Sequence, residues 1–438
     1  MRVLIVGKGK SGFGAYNLLV SLGHTAFMVD DDEFNNEDNL FNGLSFLVLS
    51  PGVSLTSLWV KECVKRKIKV ISELELGSMF LKSQYYAITG TNGKTTITRL
   101  LGELMKTRKK TWVGGNIGVS LSSFALKARR QDAVIIEVSS FMLESIDKFK
   151  PHIAAITNIT PDHLNRHKTM QNYINLKFKI FKNMTRYDYA VLNADDDIIM
   201  AKSKGLKLNK YYFSTKKEVR GCFIKNGNIY FKDDFKLICI SKSNVISLIG
   251  EHNKSNILCA LLMFILSGGN PKSVLNVIKN FKLDSHRIEK VGEFGGVSFI
   301  DDSKATNVAS TLASVKSFSS PIILLVGGSD KQSDFTLLSN NLPKNVKYVI
   351  TFGEVRNKLA SALKSAGFNS FSQFKTLKEA IIEAISFAKS KDVVLLSPAC
   401  ASFDEFSSYA ERGRFFEKVV KEKLGEISAQ KIEAKPKT

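Results

Sequence analysis

A glycine-rich loop followed by Lys-Thr is the segment of the sequence best suited to chemistry. Residues 85–105 read YYAITGTNGKTTITRLLGELM: a short apolar strand, a loop and an amphipathic helix. Backbone N–H groups of such a loop, with the N-terminal end of the helix, can bind nucleotide phosphates. Lys94 would neutralise phosphate charge, and the Thr95 hydroxyl would bind Mg²⁺. The predicted nucleotide triphosphate site consists of Gly90, Thr91, Asn92, Gly93, Lys94, Thr95 and Thr96.

The helix after this loop carries its apolar side chains on one face, at Leu100, Leu101, Leu104 and Met105. This spacing predicts a helix packed on a sheet, which is the context that a phosphate loop requires. The common G-x-x-x-x-G-K-[ST] pattern has glycine at the position of Ile88, so this loop is a shorter variant.

A second glycine motif lies at the N-terminus. The sequence VLIVGKGKSG predicts a buried strand that leads into Gly7-x-Gly9-x-x-Gly12, and the next strand ends at Asp30. Alone, this pattern favours NAD, with Asp30 on a ribose hydroxyl. The same turn suits any diphosphate, and tight packing of strand on helix alone would also explain the glycines.

The formal charge of +22 raises the possibility of nucleic-acid binding. Lysines are scattered along the whole chain, however, and the dense basic runs lack interleaved aromatic residues, so we expect solvated surface charge and no nucleic-acid partner.

The five cysteines lie far apart, which indicates reduced thiols in a cytoplasmic protein. No apolar run approaches the length of a membrane span, and the first one is too short for a signal peptide.

Alternation of strands and helices predicts an α/β protein with three tandem open-sheet domains. We expect a Rossmann-like domain at residues 1–84, a P-loop-type domain at 85–282 and a second Rossmann-like domain at 283–438. Short alternating strands between residues 211 and 246, with Asn226-Gly227 at a hairpin, predict a small antiparallel sheet appended to the central domain. We expect the tail at residues 427–438 to be disordered.

Five more motifs follow the phosphate loop: GGNIG (residues 114–118), EVSSFMLE (137–144), NITPDHLNRH (158–167), DDSKATN (301–307) and SPACASFDEF (397–406). Together with TGTNGKTT they resemble the ATP-dependent Mur ligases of peptidoglycan synthesis, along essentially the whole chain. SSFMLE and SPACASFDEF look most like the D-glutamate-adding branch. The resemblance implies that ATP phosphorylates the carboxyl of UDP-N-acetylmuramoyl-L-alanine, and that the amine of D-glutamate then attacks the acyl phosphate. It also implies roles in cell wall biogenesis, cell shape and cell division.

Magnesium prefers oxygen ligands, so Thr95 and Glu137 would suit one ion beside the β- and γ-phosphates. Capping of the following turn is the alternative role of Glu137. The resemblance implies that His163 binds a second Mg²⁺, although the chemistry of imidazole alone favours zinc or a plain hydrogen bond with Asp162.

The resemblance also implies that Lys177 is carbamylated by CO₂ and helps to hold the second metal. Carbamylation needs the neutral amine, which nearby cations favour. Lys179 lies close by, and surface charge is the alternative for either lysine.

The predicted catalytic residues are Lys94, Lys177, His163, Lys304 and Arg287. Lys304 and Arg287 would stabilise negative charge on the transferring phosphate. The resemblance implies an ATP ribose contact for Asp302, and contacts to the nucleotide or a hinge for Asn253 and Asn256, for which helix capping is an alternative. It places D-glutamate at Thr306, Lys331, Ser402 and Tyr409, where Tyr409 replaces an expected phenylalanine. The UDP-sugar substrate would bind Lys10, Ser11, Asp30, Gly52, Asn116 and Ser139.

Three other readings stay open. Another Mur-type or folylpolyglutamate-type ligase would share the phosphate loop but add a different amino acid. An NAD-binding protein would use Gly7, Gly9 and Gly12, and a nucleic-acid-stimulated ATPase would use the basic surface. We expect the protein to act as a monomer.

Overall fold

The computed structural model describes residues 1–34, 38–246, 248, 250–330 and 334–433, in which the strands form three sheets. The predicted α/β class with several open sheets is confirmed. Residues cluster into two compact units. The first comprises Met1–Ile159, Thr169–Ser247 and Asn253–Phe281, and the second comprises Thr160–Lys168, Leu248–His252 and Lys282–Thr438. The three domain boundaries given above stay a prediction.

The first sheet is parallel. Its strands are β1 (Arg2–Val6), β2 (Thr25–Val29), β3 (Phe46–Leu49) and β4 (Lys69–Ser72), in the order β2-β1-β3-β4. The accompanying helices are α1 (Lys10–Ser21), α2 (Asp38–Phe41), α3 (Leu58–Lys65) and α4 (Glu73–Met79). Apolar side chains pack on both faces of this sheet, as expected for strands without a solvated face.

The N-terminal glycine motif forms the tight turn between β1 and α1. Gly7 has a φ of 103°, a conformation that favours glycine, and the Ser50 hydroxyl donates to its carbonyl at 3.0 Å. A Cβ at Gly12 would overlap that same carbonyl oxygen. The motif therefore lets α1 begin directly against the end of the strand.

The second sheet has nine strands. They are β5 (Tyr85–Thr89), β6 (Thr111–Gly115), β7 (Ala133–Glu137), β8 (Ile153–Ile156), β9 (Tyr189–Asn193), β10 (Asn209–Ser214), β11 (Gly221–Lys225), β12 (Asn228–Lys232) and β13 (Leu237–Lys242). The order is β13-β12-β11-β10-β9-β8-β5-β7-β6. The helices of this part are α5 (Lys94–Lys106), α6 (Leu164–His167), α7 (Met170–Phe178), α8 (Asp197–Ser203), α9 (Glu251–Leu266) and α10 (Leu275–Asn280).

The predicted small antiparallel sheet between residues 211 and 246 is present, and it is appended to the second sheet, which is called the central sheet below. Strands β11, β12 and β13 are antiparallel to one another, but β11 pairs in parallel with β10 and so extends the central sheet. The predicted hairpin is present: Asn226 and Gly227 have φ values of 49° and 71°, as a type I′ turn requires. The pairing of β11 with β10 leaves neither strand with an open edge at this place.

The third sheet contains β14 (Glu289–Phe294), β15 (Val297–Asp301), β16 (Ile322–Gly327), β17 (Val346–Phe352), β18 (Phe371–Gln373) and β19 (Val393–Ala399). The order is β14-β15-β19-β16-β17-β18, and only β14 is antiparallel to its neighbour. Its helices are α11 (Val308–Val315), α12 (Phe335–Asn340), α13 (Arg356–Ser365), α14 (Leu377–Phe387) and α15 (Tyr409–Glu433).

Helix α15 corrects the predicted start of a disordered tail. It continues to Glu433, because the charged residues of this segment are good helix formers, and residues 434–438 lie outside the described residues. None of the described helices is long and apolar enough to cross a membrane.

Two buried carboxylates join the first and second sheets within the first unit. Glu73 accepts a hydrogen bond from the Ser122 amide at 2.7 Å, and burial raises its pKa. Glu75 accepts three backbone amides, at 2.9, 2.8 and 2.9 Å, from Asp147, Lys148 and Phe149. Several amides on one buried carboxylate satisfy its charge and fix the loop that donates them.

Candidate functional site

The phosphate loop lies between β5 and α5, at the carboxyl end of a central strand of the second sheet. Gly90 has a φ of 143° and Gly93 a φ of 84°, so both positions favour glycine. A Cβ at Gly93 would overlap Oδ1 of Asn256, which places that amide beside the loop. The first N–H groups of a helix lack intrahelical acceptors, so the start of α5 fits a phosphate.

Two residues after β8 fix the shape of the loop. The Asn158 carbonyl accepts the Thr91 amide at 2.9 Å, and Asn158 Oδ1 accepts the Asn92 amide at 2.9 Å. The Thr157 hydroxyl donates to the Asn92 carbonyl at 2.6 Å. Sequence reasoning missed these anchors, although their place at the end of a strand neighbouring β5 could have indicated them.

Two lysines converge on the loop. Lys94 Nζ donates to the carbonyls of Gly90 and Thr91, at 2.9 and 2.7 Å, and Lys177 Nζ donates to the Gly90 carbonyl at 2.7 Å. Lys177 is only 1% exposed and lies 4.4 Å from the centre of the Tyr173 ring. The Tyr173 hydroxyl is in turn 3.2 Å from Thr91 Oγ1. Lys177 is therefore a buried component of the loop site.

Lys179, the alternative lysine, lies elsewhere. Its Nζ donates to the Glu144 carbonyl at 3.0 Å, and burial together with the charge of Lys182 lowers its pKa. Of the two lysines only Lys177 contacts the phosphate loop, so the geometry favours Lys177 for the predicted role.

Glu137 ends β7 and is 2% exposed. Its Oε1 accepts a hydrogen bond from Asn116 Nδ2 at 2.7 Å, while its buried Oε2 has no hydrogen-bond partner among the described residues. A buried carboxylate oxygen without a donor fits a hard cation such as Mg²⁺. The following turn is capped by Ser139, whose hydroxyl accepts the Met142 amide at 3.3 Å, so the capping alternative for Glu137 does not hold.

A cavity of about 560 Å³ lies at the N-terminal glycine motif. Five of the six residues predicted for the UDP-sugar substrate line it, namely Lys10, Ser11, Asp30, Gly52 and Asn116. Asn116 comes from the second sheet, so the cavity continues from the first sheet towards Glu137 within one unit. Ser139, the sixth residue, is not among the lining residues.

The two asparagines of α9 are not helix caps. Because the helix begins at Glu251, Asn253 and Asn256 lie within it, and both side chains are buried. The capping alternative is therefore wrong, and Asn256 is the one that adjoins the phosphate loop.

In the second unit, the predicted catalytic cation Lys304 lies beside Tyr409. Lys304 Nζ is 3.5 Å from Asp284 Oδ2 and 5.1 Å from the centre of the Tyr409 ring. The tyrosine at this position thus provides an aromatic face for the lysine. Of the remaining predicted D-glutamate residues, Ser402 is buried, Thr306 is half-buried, and Lys331 lies outside the described residues.

His163 also belongs to the second unit, at the start of α6 with a φ of 53°. Its backbone amide donates to Asp162 Oδ1 at 3.0 Å, and its Nε2 lies 3.7 Å from Asp162 Oδ2. A metal-binding role for His163 stays a prediction.

Asp302 is buried in a hydroxyl network. The hydroxyls of Ser314 and Ser397 donate to its Oδ2 at 2.5 and 2.8 Å. Burial raises the pKa of Asp302 to about 6, while these hydroxyls and the charge of Arg287 oppose the rise. Arg287, predicted to act on the phosphate, is therefore near the residue predicted to contact the ribose.

This raised pKa predicts a pH-dependent stability. Because the folded-state pKa lies above the ordinary aspartate value of 3.8, the contribution of Asp302 to stability is complete below about pH 4 and is lost as pH rises through about 6. Relative to Asp302→Asn, the free energy of unfolding of the wild type should fall by about 3 kcal/mol over this range. Urea unfolding of both proteins at several pH values measures this difference, and parallel pH profiles would contradict it.

Arg412 is a central residue of the second unit that sequence reasoning missed. It is 0% exposed, and its guanidinium donates to the carbonyls of Ser303, Cys400 and Ala401 at 2.9–3.1 Å. Burial lowers its pKa to about 10. The side chain connects the loop that contains Lys304 with the loop that leads to Ser402. An arginine in a charged helix indicates exposure, so the sequence carried no signal for this role.

Arg412→Met should destabilise the protein, since it leaves several buried carbonyl oxygens without donors. We expect a loss of about 2–4 kcal/mol in the free energy of unfolding. The matched control is Arg414→Met, because Arg414 is an exposed arginine on the same helix. This control should change the free energy of unfolding by less than about 0.5 kcal/mol. Equal urea midpoints for the two variants would refute the role of Arg412.

Comparison with known families gives two matches. A family model described as Mur ligase middle domain matches residues 88–264, and one described as Mur ligase, glutamate ligase domain matches residues 286–400. The matched middle-domain region contains the phosphate loop, Glu137 and Lys177. The matched glutamate ligase domain region contains Lys304.

Relatives with similar sequences match along nearly their whole length. The UDP-N-acetylmuramoylalanine–D-glutamate ligase of Thermoanaerobacter sp. (strain X514) is 39% identical, over 96% of this chain and 98% of the relative. The protein of that name from Koribacter versatilis (strain Ellin345) is 37% identical, over 96% and 97%.

Solved structures show a similar fold at low sequence identity. UDP-N-acetylmuramate-alanine ligase from Thermotoga maritima has a TM-score of 0.60 at 17% identity, covering 97% of this chain and 100% of that chain. A pseudomurein peptide ligase type C from Methanothermus fervidus has a TM-score of 0.62 at 16% identity, covering 96% and 100%.

Proposed function

The chain belongs to the Mur ligase family, and from that premise we propose that it joins D-glutamate to UDP-N-acetylmuramoyl-L-alanine at the expense of ATP. The observation that carries this proposal is the similarity to ligases of that name over almost the entire chain. The geometry of the phosphate loop and of the neighbouring cavity supports it, because these two sites suit ATP and a diphosphate-linked substrate.

The reaction must first activate a carboxylate, which is a poor electrophile. The γ-phosphoryl group of ATP passes to a carboxylate oxygen of the substrate, which gives an acyl phosphate and ADP. The amine of D-glutamate then attacks the carbonyl carbon, the C–O bond to phosphate breaks, and an amide, inorganic phosphate and a proton result. The phosphate loop with Lys94 would hold the ATP phosphates during the first step.

Two groups of residues would hold magnesium. Thr95 and Glu137 would bind one ion through oxygen, and His163 with a carbamylated Lys177 would bind a second. The metal supplies positive charge that lets the phosphates and the substrate carboxylate approach one another. Two observations support this assignment: Oε2 of Glu137 has no hydrogen-bond partner within the described part of the chain, and Lys177 is buried.

The substrates would occupy both units. In the first unit, Lys10, Ser11, Asp30 and the Gly52 turn would contact the UDP part, with Asn116 and Ser139 towards the muramoyl part. In the second, Arg287 and Lys304 would stabilise charge on the phosphate. Asp302, with Asn253 and Asn256, would position the nucleotide. D-glutamate would bind at Thr306, Lys331, Ser402 and Tyr409. We further propose a monomer that acts in the cytoplasm.

Product analysis tests this function. Purified protein with ATP, Mg²⁺, UDP-N-acetylmuramoyl-L-alanine and D-glutamate should yield the D-glutamate adduct, detected by mass spectrometry, with one ADP per amide. Omission of any one substrate should abolish the product. Adduct formation without ADP release, or ADP release without an adduct in the complete mixture, would refute the proposal.

A further inference from the structure

A second cavity, of about 480 Å³, lies where strands of the second sheet begin, on the side of the sheet opposite to the phosphate loop. It adjoins the beginnings of β5, β8 and β9, whereas the phosphate loop follows the end of β5. The residues that matter here are Lys82, Ser83, Arg130, Lys150, His152 and Asp188. None of them has a part in the ligase reaction proposed above.

The charges around this cavity favour an anion. Lys82, Arg130 and Lys150 contribute three cations, and Lys82 and Arg130 form no ion pair within the described part of the chain. Asp188 is the one carboxylate among the lining residues, and it already accepts the Thr185 amide and hydroxyl at 2.8 and 3.0 Å. It therefore leaves the cavity with excess positive charge.

Asp188 is also held by its basic neighbours. Its Oδ1 lies 3.3 Å from His152 Nδ1, and its Oδ2 lies 3.4 Å from Lys150 Nζ. Burial acts to raise the pKa of Asp188, but the hydrogen bonds from Thr185 and His152 and the charge of Lys150 outweigh it, so the pKa is lowered. The carboxylate orients the two basic side chains at the wall of the cavity.

Ser83 provides an independent sign of a ligand. The residue is 6% exposed and lines the cavity, and its hydroxyl has no hydrogen-bond partner among the described residues. Buried hydroxyls in native proteins are almost always hydrogen-bonded, so this donor lacks an acceptor oxygen. Ser83 lies in the connection between α4 and β5, which joins the first sheet to the second.

We propose that this cavity is a binding site for a small anion with several phosphate oxygens, of the pyrophosphate class. Phosphate oxygens accept hydrogen bonds from lysine, arginine and hydroxyl groups together, as this wall requires. The volume exceeds that of one inorganic phosphate, and the polar lining does not favour an apolar ligand. Binding would fix the connection between the two sheets from the side opposite the ATP site.

Calorimetric titration of the full chain with pyrophosphate, with both nucleotide sites saturated by an ATP analogue and UDP, tests the proposal. We expect the wild type and Arg129→Ser, a neighbouring exposed arginine outside the cavity, to bind equally. The double variant Lys82→Ala/Arg130→Ser should bind at least about 10-fold more weakly, and Ser83→Ala a few-fold more weakly. Hydrogen exchange should show protection of residues 81–85 by pyrophosphate in the wild type and in Arg129→Ser, but not in the double variant at the same pyrophosphate concentration.

Equal affinity of the double variant and Arg129→Ser, or no pyrophosphate binding by the wild type at millimolar concentration, would overturn the proposal. Because Lys82 and Arg130 are exposed, the double variant should fold as Arg129→Ser does. Equal thermal unfolding midpoints of these two variants check this. The outcome does not depend on the identity of the ligase substrates.

Discussion

Lys177→Ala is expected to lower ligase activity by at least about 1000-fold, the largest effect among the single changes considered. Lys177 is buried beneath the phosphate loop and donates to the Gly90 carbonyl, so its carbamate would carry negative charge into the metal site. The initial rate of ADP release with all substrates present measures the loss.

Added formate should restore part of this activity, because a short carboxylate can enter the space left by the side chain and replace the carbamate oxygens. Lys179→Ala is the matched control, since Lys179 contacts the Glu144 carbonyl and not the loop, and it should retain most activity without response to formate. A Lys177→Ala protein with near wild-type rates would contradict the assignment. The mass of one added CO₂ on a peptide that contains Lys177 would support it directly.

Glu137→Gln is expected to lower kcat by about 100- to 1000-fold at a fixed magnesium concentration. The amide keeps the size of the side chain and can still pair with Asn116, but it removes the negative charge of a carboxylate whose Oε2 has no other partner among the described residues. Initial rates across a magnesium titration measure the effect. The half-saturating concentration should rise together with the loss of rate.

Glu144→Gln is the control for this experiment. Glu144 belongs to the same sequence motif as Glu137, but its backbone carbonyl, not its carboxylate, accepts the Lys179 bond. The magnesium dependence of the Glu144→Gln variant should match that of the wild type. If Glu137→Gln also kept the wild-type magnesium dependence, Glu137 would not be a metal ligand.

The local features of the ATP site could be predicted from the sequence. The strand, the loop and the helix from Tyr85 to Lys106 follow from short-range patterns, and Leu100 and Leu104 are buried as their spacing predicts. Lys10, Ser11, Asp30 and Gly52, which line the N-terminal cavity, were predicted from the glycine motif and the turns near it, whereas Asn116 was predicted from the resemblance of its GGNIG motif. Their role in substrate binding stays a prediction.

Features that depend on distant pairing could not be predicted. The parallel pairing of β10 with β11 makes the hairpin part of the central sheet, and no local pattern encodes it. The burial of Arg412 depends on carbonyls more than a hundred residues away along the chain, at Ser303. The carboxylate of Glu75 accepts three amides that lie beyond residue 146, and no pattern near Glu75 in the sequence indicates this contact.

The phosphate loop explains where the energy of the reaction enters, but the third sheet and its loops would choose the amino acid. The measurement closest to this central claim is the rate of phosphate release with ATP and UDP-N-acetylmuramoyl-L-alanine, compared across D-glutamate, L-glutamate, L-alanine and a diamino acid. We predict rapid release with D-glutamate and little with the other three. Equal or faster release with L-alanine or the diamino acid would contradict the account.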